Sequence, residues 1–563
     1  METRKLDNIY HVLTTTEKVS LFGRISPIHQ LTSPPIPLNT GEMHKVSGDI
    51  IREAKREVLL AFYKFFANSD GGAEIYQALE ELKARAERDK TKINVCMLVN
   101  SRGKLAEKFY KPNVPLGIER LTTSDYFNIK VTLHPTVVIG TLHTKLIIID
   151  SEIAMIRGGD PHAANNLSED QFETAALIKG PIVADMRSDY ADVWQAYSKE
   201  VLDEICFVEK NAAPLSINQS FIPCMYLSKR ENGNILLYTD CEAPYKIALL
   251  EAIANAQLSV HILTSNLNDP TICSALAKAC ERGIVINIIT GKYHNDSSEG
   301  LWGGTNLDSM ANLVRQIDIR HQANLHIRWN TTAHGHIVQH GEPCTLHGKY
   351  VCIDNELIFT GSSPLDKQGM YYSREADIIF EDPCTAKLFE DKFFVHKFNQ
   401  GTDYFDDAYR TLLNTIEFQT QRIEQSATAT LQVTKAINLR EILNHINDDT
   451  HSVREKIYTL LEKVLPVLQL PTGNKPGMPT SYNAVMAVVV KYGLDRHLIN
   501  QLQNKLSAWK TRVSNHEVST LLSEFILLKP PKTLQKTLSK SANLVKNISE
   551  PLAEKRDTLR KSL

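Results

Sequence analysis

The stretch 345–364, TLHGKYVCIDNELIFTGSSP, carries His347, Lys349 and Asp354 in the spacing His-x-Lys-x4-Asp. In an extended strand, residues two apart point to the same face, so His347 and Lys349 are predicted to project together. The apolar run 350–353 predicts that the strand itself is buried. One strand end therefore presents a nucleophile beside a cation, followed by a Gly/Ser-rich turn.

The same pattern occurs upstream in the stretch 141–161, TLHTKLIIIDSEIAMIRGGDP. Both copies begin Thr-Leu-His and both run into a Gly/Ser-rich turn, 157–160 in one and 361–364 in the other. A single His-x-Lys pair beside an apolar strand is usually structural, whereas catalysis requires several converging groups. Repetition within one chain favours the functional interpretation. The residues of the upstream copy are His143, Lys145 and Asp150.

The repeat extends beyond the motifs. A helix, a strand, a helix and a strand are predicted before each motif, beginning near Ser47 in the first copy and near Pro244 in the second. A further amphipathic segment follows each motif, from Val183 and from Cys384. Strands that alternate with helices favour an α/β fold with mixed, largely parallel sheets covered on both faces.

These motifs resemble the signature of the phospholipase D superfamily, and the resemblance covers roughly 46–398. It implies two similar α/β/α halves related by a pseudo-two-fold axis, with one active site where both motifs meet. One histidine would attack phosphorus and the other would protonate the leaving oxygen. The resemblance suggests His143 as the nucleophile and His347 as the general acid.

The chemistry of phosphodiester cleavage fits these residue types. A neutral imidazole attacks an anionic phosphodiester without charge repulsion, and the second histidine serves as acid and then as base. Lys145 and Lys349 would neutralise charge on the phosphoryl oxygens. The family also supplies a carboxylate downstream of each motif to fix the histidine tautomer. The candidates are Glu173, thirty residues after His143, and Glu375, twenty-eight after His347.

Other positions receive weaker predictions. Asp150 and Asp354, at the far ends of their strands, are expected to make structural hydrogen bonds. Asp160 and Ser362, in the two turns, are candidate substrate-binding residues. Trp302, in the polar Gly-rich stretch 293–306, is a candidate contact for an acyl chain or head group, although an ordinary surface loop explains this stretch equally well. The two turns differ in sequence, which predicts an asymmetric site.

Composition places few limits on function. The chain has 563 residues, 42% hydrophobic and 23% charged, with a formal net charge of −2, as in ordinary soluble proteins. Nine scattered cysteines without a Cys-x-x-Cys pair favour reduced thiols. The predicted organisation is an N-terminal extension, two phospholipase D-like halves, a helical domain and a basic tail, at 1–45, 46–210, 211–400, 401–528 and 529–563.

Predictions about partners and location follow from charge and hydropathy. The tail 529–563 holds nine Lys/Arg against three Asp/Glu, a local charge of +6, which suits a peripheral, anionic membrane surface. A solvated terminal helix is the simpler interpretation. Neither a secretory signal nor a membrane span is evident, so we expect cytoplasmic synthesis, with secretion into a host cell as a hypothesis. No nucleic-acid or protein partner is predicted.

The mechanism requires no metal or cofactor. The histidines at 334, 336 and 340 lack carboxylate or thiolate ligands at a matching spacing, so we predict no metal site there. The leading hypothesis is a phospholipase D that hydrolyses glycerophospholipids to phosphatidic acid. The alternatives are a phosphatidyltransferase of the phosphatidylserine- or cardiolipin-synthase kind, a nuclease, and a lipid-binding protein without activity. Intact His/Lys pairs argue against the last.

Overall fold

A computed structural model describes most of the chain up to residue 411. The chain divides into two compact units, and every described residue belongs to the first, which comprises 1–467 and 475–492. The predicted basic tail and nearly all of the predicted helical domain lie outside the described residues. The described residues are 4–17, 19–31, 33–101, 117–136, 140–202, 221–231, 243–294, 304–318, 320–339, 342–408 and 410–411.

Strands and helices are numbered along the described chain. The strands are β1 (Gly23–Ile25), β2 (His29–Leu31), β3 (Ile36–Leu38), β4 (Glu57–Phe62), β5 (Ile93–Ser101), β6 (Phe127–Pro135), β7 (Leu146–Ile149), β8 (Ile153–Arg157), β9 (Ala175–Lys179), β10 (Ile222–Lys229), β11 (Ser259–Thr264), β12 (Val285–Thr290), β13 (Leu325–Trp329), β14 (Lys349–Ile353), β15 (Leu357–Gly361), β16 (Glu375–Glu381) and β17 (Thr402–Asp403). The α-helices are α1 (Lys5–Thr15), α2 (Val19–Phe22), α3 (Thr40–Arg52), α4 (Asp70–Asp89), α5 (Ile182–Ser198), α6 (Pro244–Ala254), α7 (Pro270–Glu281), α8 (Asn306–Gln316), α9 (Lys367–Tyr371), α10 (Pro383–Phe389) and α11 (Val395–Gln400).

The strands form two mixed sheets with the same internal order. The first runs β3-β9-β8-β7-β4-β5-β6, and the second contains β16-β15-β14-β11-β12-β13 in its centre. In each sheet three strands pair in parallel, β4-β5-β6 and β11-β12-β13, and the motif strands join antiparallel. The mixed α/β architecture predicted from the sequence is therefore confirmed. The parallel pairings are confined to those strands, because each motif strand returns as a hairpin.

Local sequence explains where the helices begin. Asn39 caps α3, where its side chain accepts from the backbone N–H of Glu42. The Glu42 side chain in turn accepts from the backbone N–H of Asn39. Asp269 caps α7, which then starts with Pro270, a residue whose fixed φ suits the first helical position. The helices cover the sheets and bury an apolar core. In the part of the chain that the structure describes, no helix has the length and hydropathy of a membrane span.

The two halves meet through reciprocal backbone bonds. Leu142, just before His143, forms a parallel bridge with Arg374, and Leu346, just before His347, forms one with Phe172. The His143 N–H donates to the Arg374 carbonyl and the His347 N–H donates to the Phe172 carbonyl, both at 2.9 Å. The first motif is thus hydrogen-bonded to the segment before β16, in the second half. The second motif is hydrogen-bonded to the segment before β9, in the first half. This exchange aligns the two motifs.

Candidate active site

Each histidine–lysine pair lies where a buried motif strand begins. Lys349 is the first residue of β14, and Lys145 directly precedes β7. Both lysine side chains are almost fully buried, because the exposed fraction is 0% for Lys145 and 2% for Lys349. Each ammonium turns back to its own motif, because Lys145 Nζ donates to the His143 carbonyl and Lys349 Nζ to the His347 carbonyl, both at 2.6 Å.

The two predicted carboxylates bind the histidines crosswise. Glu173, from the first half, lies with Oε1 2.6 Å from Nδ1 of His347 in the second half. Glu375, from the second half, lies 2.9–3.0 Å from Nδ1 of His143 in the first. A carboxylate on Nδ1 fixes the ring and leaves Nε2 for chemistry. Each half therefore supplies the histidine and the carboxylate that completes the other half's pair.

Further contacts across the halves bring the cations into one site. Lys349 Nζ donates to the Gly158 carbonyl of the first half at 3.3 Å and lies 3.9 Å from Glu173 Oε2. Lys145 Nζ lies 3.8 Å from Asp160 Oδ2. A side chain at position 158 would crowd Lys349 and Glu173, so this turn requires glycine for the close approach. Lys349 also lowers the pKa of His143, and Lys145 that of His347, so the four motif side chains are close enough to interact electrostatically.

Burial and positive charge set the protonation of the histidines. Burial lowers the pKa of His143 well below its ordinary value, and the charges of Lys145 and Lys349 lower it further. Burial, Lys349 and His294 do the same to the pKa of His347. Burial lowers the pKa of Lys349 to about 8. The site thus favours neutral imidazoles, the form in which histidine attacks phosphorus.

Burial shifts the pKa values of the two carboxyl groups in the opposite direction, upwards. Both are fully buried, and burial raises the pKa of Glu173 above its ordinary value and that of Glu375 to about 7. The lysine charges oppose this rise in both cases. A carboxylate held this far from water is a strong hydrogen-bond acceptor for an imidazole, because little solvent competes for it.

The motif aspartates lie away from the histidines and accept hydrogen bonds from backbone N–H groups. Asp150 accepts from the backbone N–H groups of residues 55, 56 and 57 at 2.7–2.8 Å, where β4 begins. Asp354 accepts from the N–H groups of residues 257, 258 and 259 at 2.6–3.1 Å, where β11 begins, and also pairs with Lys5. Both have positive φ, 52° and 56°. These contacts are structural hydrogen bonds of the kind that the sequence predicts.

The three candidate substrate residues have different surroundings. Asp160 is buried beside Lys145, and its Oδ1 accepts from the Tyr63 N–H at 2.8 Å. The Ser362 hydroxyl donates to Glu375 at 2.5 Å and accepts from the Ala376 N–H. Both therefore border the site through its lysine and carboxylate, and their substrate contacts stay predictions. Trp302 lies outside the described residues.

Two aromatic residues of the site were not singled out from the sequence. The Tyr63 ring lies 5.7 Å from the His143 ring, and Lys145 Nζ lies 5.9 Å from the Tyr63 centroid. The His294 ring lies 5.8 Å from the His347 ring. Tyr63 follows β4 and His294 follows β12 by four residues. Side chains after the carboxyl ends of parallel strands gather at one sheet edge, and that rule would have marked both residues.

The described residues hold no group of three or more His, Cys, Asp and Glu side chains arranged to bind a metal ion. The described cysteines 96, 224, 273, 280, 344, 352 and 384 are all free thiols.

Part of the chain is similar to a known protein family. Residues 249–396, in the second half, match the family model described as cardiolipin synthase, PLD-like domain. An uncharacterized protein of Helicobacter pylori (strain J99) is 23% identical over 282 residues, which are 44% of this chain and 55% of that protein. The chain thus spans about half the length of this curated relative.

A solved structure shares the fold of this chain. The crystal structure of phosphatidylserine synthase from Haemophilus influenzae Rd KW20 superposes with a TM-score of 0.50 at 15% identity, covering 71% of this chain and 92% of that one. Nuc from Salmonella typhimurium, described as a phospholipase D family member, has a TM-score of 0.22 at 22% identity and covers 28% of this chain and 90% of its own. The second half of the chain thus matches a PLD-like domain model, and the paired motifs and the shared fold agree with that match.

Proposed function

We propose that the protein cleaves the phosphodiester between the phosphatidyl group and the head group of glycerophospholipids, through a covalent phosphohistidine. The observation that carries this proposal is the crosswise pairing of two histidines with two buried glutamates around two lysines. Such a pair of imidazoles, each held at Nδ1 by a carboxylate, provides one nucleophile and one acid for a single phosphorus atom.

The proposed reaction has two displacements. Binding of the anionic phosphodiester stabilises His347 in its protonated form, against the effect of burial. Nε2 of neutral His143 then attacks phosphorus and forms a P–N bond, while the P–O bond to the head group breaks and protonated His347 gives its Nε2 proton to the leaving oxygen. His347 then removes a proton from water, whose oxygen attacks phosphorus and releases His143. Lys145 and Lys349 stabilise the charge on the non-bridging oxygens in both steps. The products are phosphatidic acid and the free head group.

A phosphatidyltransferase is the second candidate. The family model describes a cardiolipin synthase domain, and the similar solved structure is a phosphatidylserine synthase. In this variant an alcohol replaces water in the second displacement, and His347 removes its proton in the same way. The residues of the described site serve both reactions equally, since they act on the phosphoryl group and not on the attacking oxygen.

The lipid substrate is supported by what these similar proteins are named for, and by the basic segment 529–563, which we propose as a contact for an anionic membrane surface. A nuclease is the remaining alternative. A single-stranded nucleic acid would require a basic groove with aromatic stacking platforms. Around the motif histidines, Tyr63 is an aromatic side chain of the described site, and it packs against His143 rather than forming a row of platforms.

The test is an incubation of the full chain with mixed phospholipid vesicles and, separately, with single-stranded DNA. We expect phosphatidic acid from the unmutated protein and none from His143→Ala or His347→Ala. His336→Ala is the matched control, because this histidine lies in the same half with its side chain 59% exposed and paired to Glu342. DNA cleavage without phosphatidic acid would overturn the lipid assignment.

A primary alcohol added to the same vesicles separates the two lipid reactions. Hydrolysis predicts phosphatidic acid as the main product even with alcohol present. Transfer predicts that phosphatidyl-alcohol accumulates at the expense of phosphatidic acid. Equal loss of both products in His143→Ala and His347→Ala is expected in either case, because both reactions share the phosphohistidine.

A further inference from the structure

The second half places a third imidazole beside the catalytic pair. The His294 ring centroid lies 5.8 Å from that of His347, with an angle of 33° between the rings. No sequence motif marks this residue, which follows β12 in a segment unrelated to the His-x-Lys pattern. Its charge contributes to lowering the pKa of His347, after burial and Lys349. His294 therefore belongs to the electrostatic environment of the reaction.

The segment that carries His294 is held in place by buried contacts. The Asn306 amide donates to the Gly291 carbonyl at 2.6 Å and to the Thr290 hydroxyl at 3.2 Å. Lys292, 4% exposed, pairs with Asp407 at 2.7 Å. A Cβ at Gly291 would lie 3.0 Å from the His294 Cβ, so the absence of a side chain there lets the segment turn closely. The position of His294 is thus built by core residues.

The cations and carboxylates of the site come from both halves. Lys145 and Lys349 face three carboxylates, Asp160, Glu173 and Glu375. Arg157 is a further buried cation near Asp160 and Glu173, on the side of the first half. A phosphodiester adds one more negative charge. His294 would supply a hydrogen-bond donor for it on the side of the second half, next to His347.

We propose that His294 is a third basic residue that contacts the phosphoryl group, together with Lys145 and Lys349. This inference rests on the proposed function, since it assumes that the phosphoryl group lies between the two motif histidines. The imidazolium would bind a non-bridging oxygen by a charge-assisted hydrogen bond from the second half. Around it are His347 of the motif, and Lys292 and Tyr293 of its own segment. Beside His143 in the first half lies the Tyr63 ring, which follows β4 and not β5, the strand equivalent to β12.

Inorganic phosphate is the probe, and its affinity for the full chain is measured by titration calorimetry at about pH 6, where histidine readily protonates. We expect His294→Gln to weaken phosphate binding about 5-fold, the effect of one charge-assisted contact. His294→Lys keeps the charge and should stay within about 2-fold of the unmutated protein. His336→Gln, which removes an exposed imidazole of the same half, should bind as the unmutated protein does.

Several outcomes would overturn the inference. His294→Gln with unmutated affinity, His294→Lys as weak as His294→Gln, or an unmutated protein that does not bind phosphate would each do so. Failure of this inference is distinguishable from failure of the proposed function. If Lys349→Gln loses phosphate binding and His294→Gln does not, the phosphate site stands without His294. If His294→Gln weakens phosphate binding but no phospholipid is cleaved, His294 keeps its role and the lipid assignment fails.

Discussion

The two halves of the molecule are alike in what positions the motif and different in what surrounds it. In both, an aspartate at the end of the motif strand holds three backbone N–H groups, a lysine returns to its histidine's carbonyl, and a glutamate reaches the opposite histidine. The turns after the motifs differ, and so do the rings beside the histidines. The two halves therefore share the geometry that holds each histidine–lysine pair and differ in the residues that surround it.

The first turn illustrates the difference. Arg157 is fully buried, donates to Ser47 and to the Gly159 carbonyl, and lies over the Phe62 ring. Burial lowers its pKa to about 10. The corresponding residue of the second half is Gly361, the last residue of β15. A Cβ there would lie 2.4 Å from the Ala376 carbonyl, so only glycine fits. The first turn is held by a guanidinium, and the second by close backbone packing.

The largest expected effect separates the two motif histidines. His143→Ala and His347→Ala should each lower kcat by at least about 10³-fold, because a nucleophile and a general acid act as a unit. With a substrate whose leaving group needs no proton, His347→Ala should still form the phosphohistidine, detected by acid quench of labelled substrate, and His143→Ala should not. If only the His143→Ala variant becomes labelled, His347 is the nucleophile and His143 is the general acid.

The crosswise carboxylates come next. Glu173→Gln and Glu375→Gln should each lower kcat about 10- to 100-fold with little change in KM, because they act through an imidazole and not on substrate. The half-to-half exchange predicts that Glu173→Gln changes the NMR signal of His347 Nδ1, and that Glu375→Gln changes that of His143. A shift of the histidine in the same half would contradict the crosswise pairing.

The motif aspartates test whether the two halves are equally stable. Asp150→Ala and Asp354→Ala should each lower the free energy of unfolding by about 3 kcal/mol, because three backbone N–H groups lose an ionised partner. Burial alone would raise the pKa of Asp354, but hydrogen bonds from Lys5 and the backbone hold it below 3.8. Its contribution is therefore present above that pH and lost in stronger acid, so denaturant titrations should find a smaller deficit there.

The smallest effect concerns the pH dependence of stability. Burial raises the pKa of Glu375 from 4.5 to about 7, so the folded protein takes up a proton between these values and loses stability as the pH rises. Glu375→Gln removes this term. The melting temperature of the variant, relative to the unmutated protein, should therefore be higher at about pH 8 than at about pH 5. A difference that does not change with pH would mean that the carboxyl group is not desolvated.

Much of this architecture was accessible from the sequence, because the strand period and the motif spacing are local. The strand that carries His347 and Lys349 is predictable from side-chain alternation, and the repeat of helix and strand patterns predicts two similar α/β halves. The structural role of Asp150 and Asp354 also follows from their position at strand ends. The predicted boundaries of the domains and the region beyond residue 411 stay predictions.

What local patterns do not contain is the contact between distant segments. The sequence alone determined that two His-x-Lys-x4-Asp motifs exist, each with a carboxylate downstream, because residue types and their spacing can be read along the chain. Only the tertiary structure decided that Glu173 binds His347 and that Glu375 binds His143, because that choice depends on how two sheets lie against each other. The same holds for the positions of Tyr63 and His294 beside the motif histidines, which arise where strand ends far apart in the chain come together.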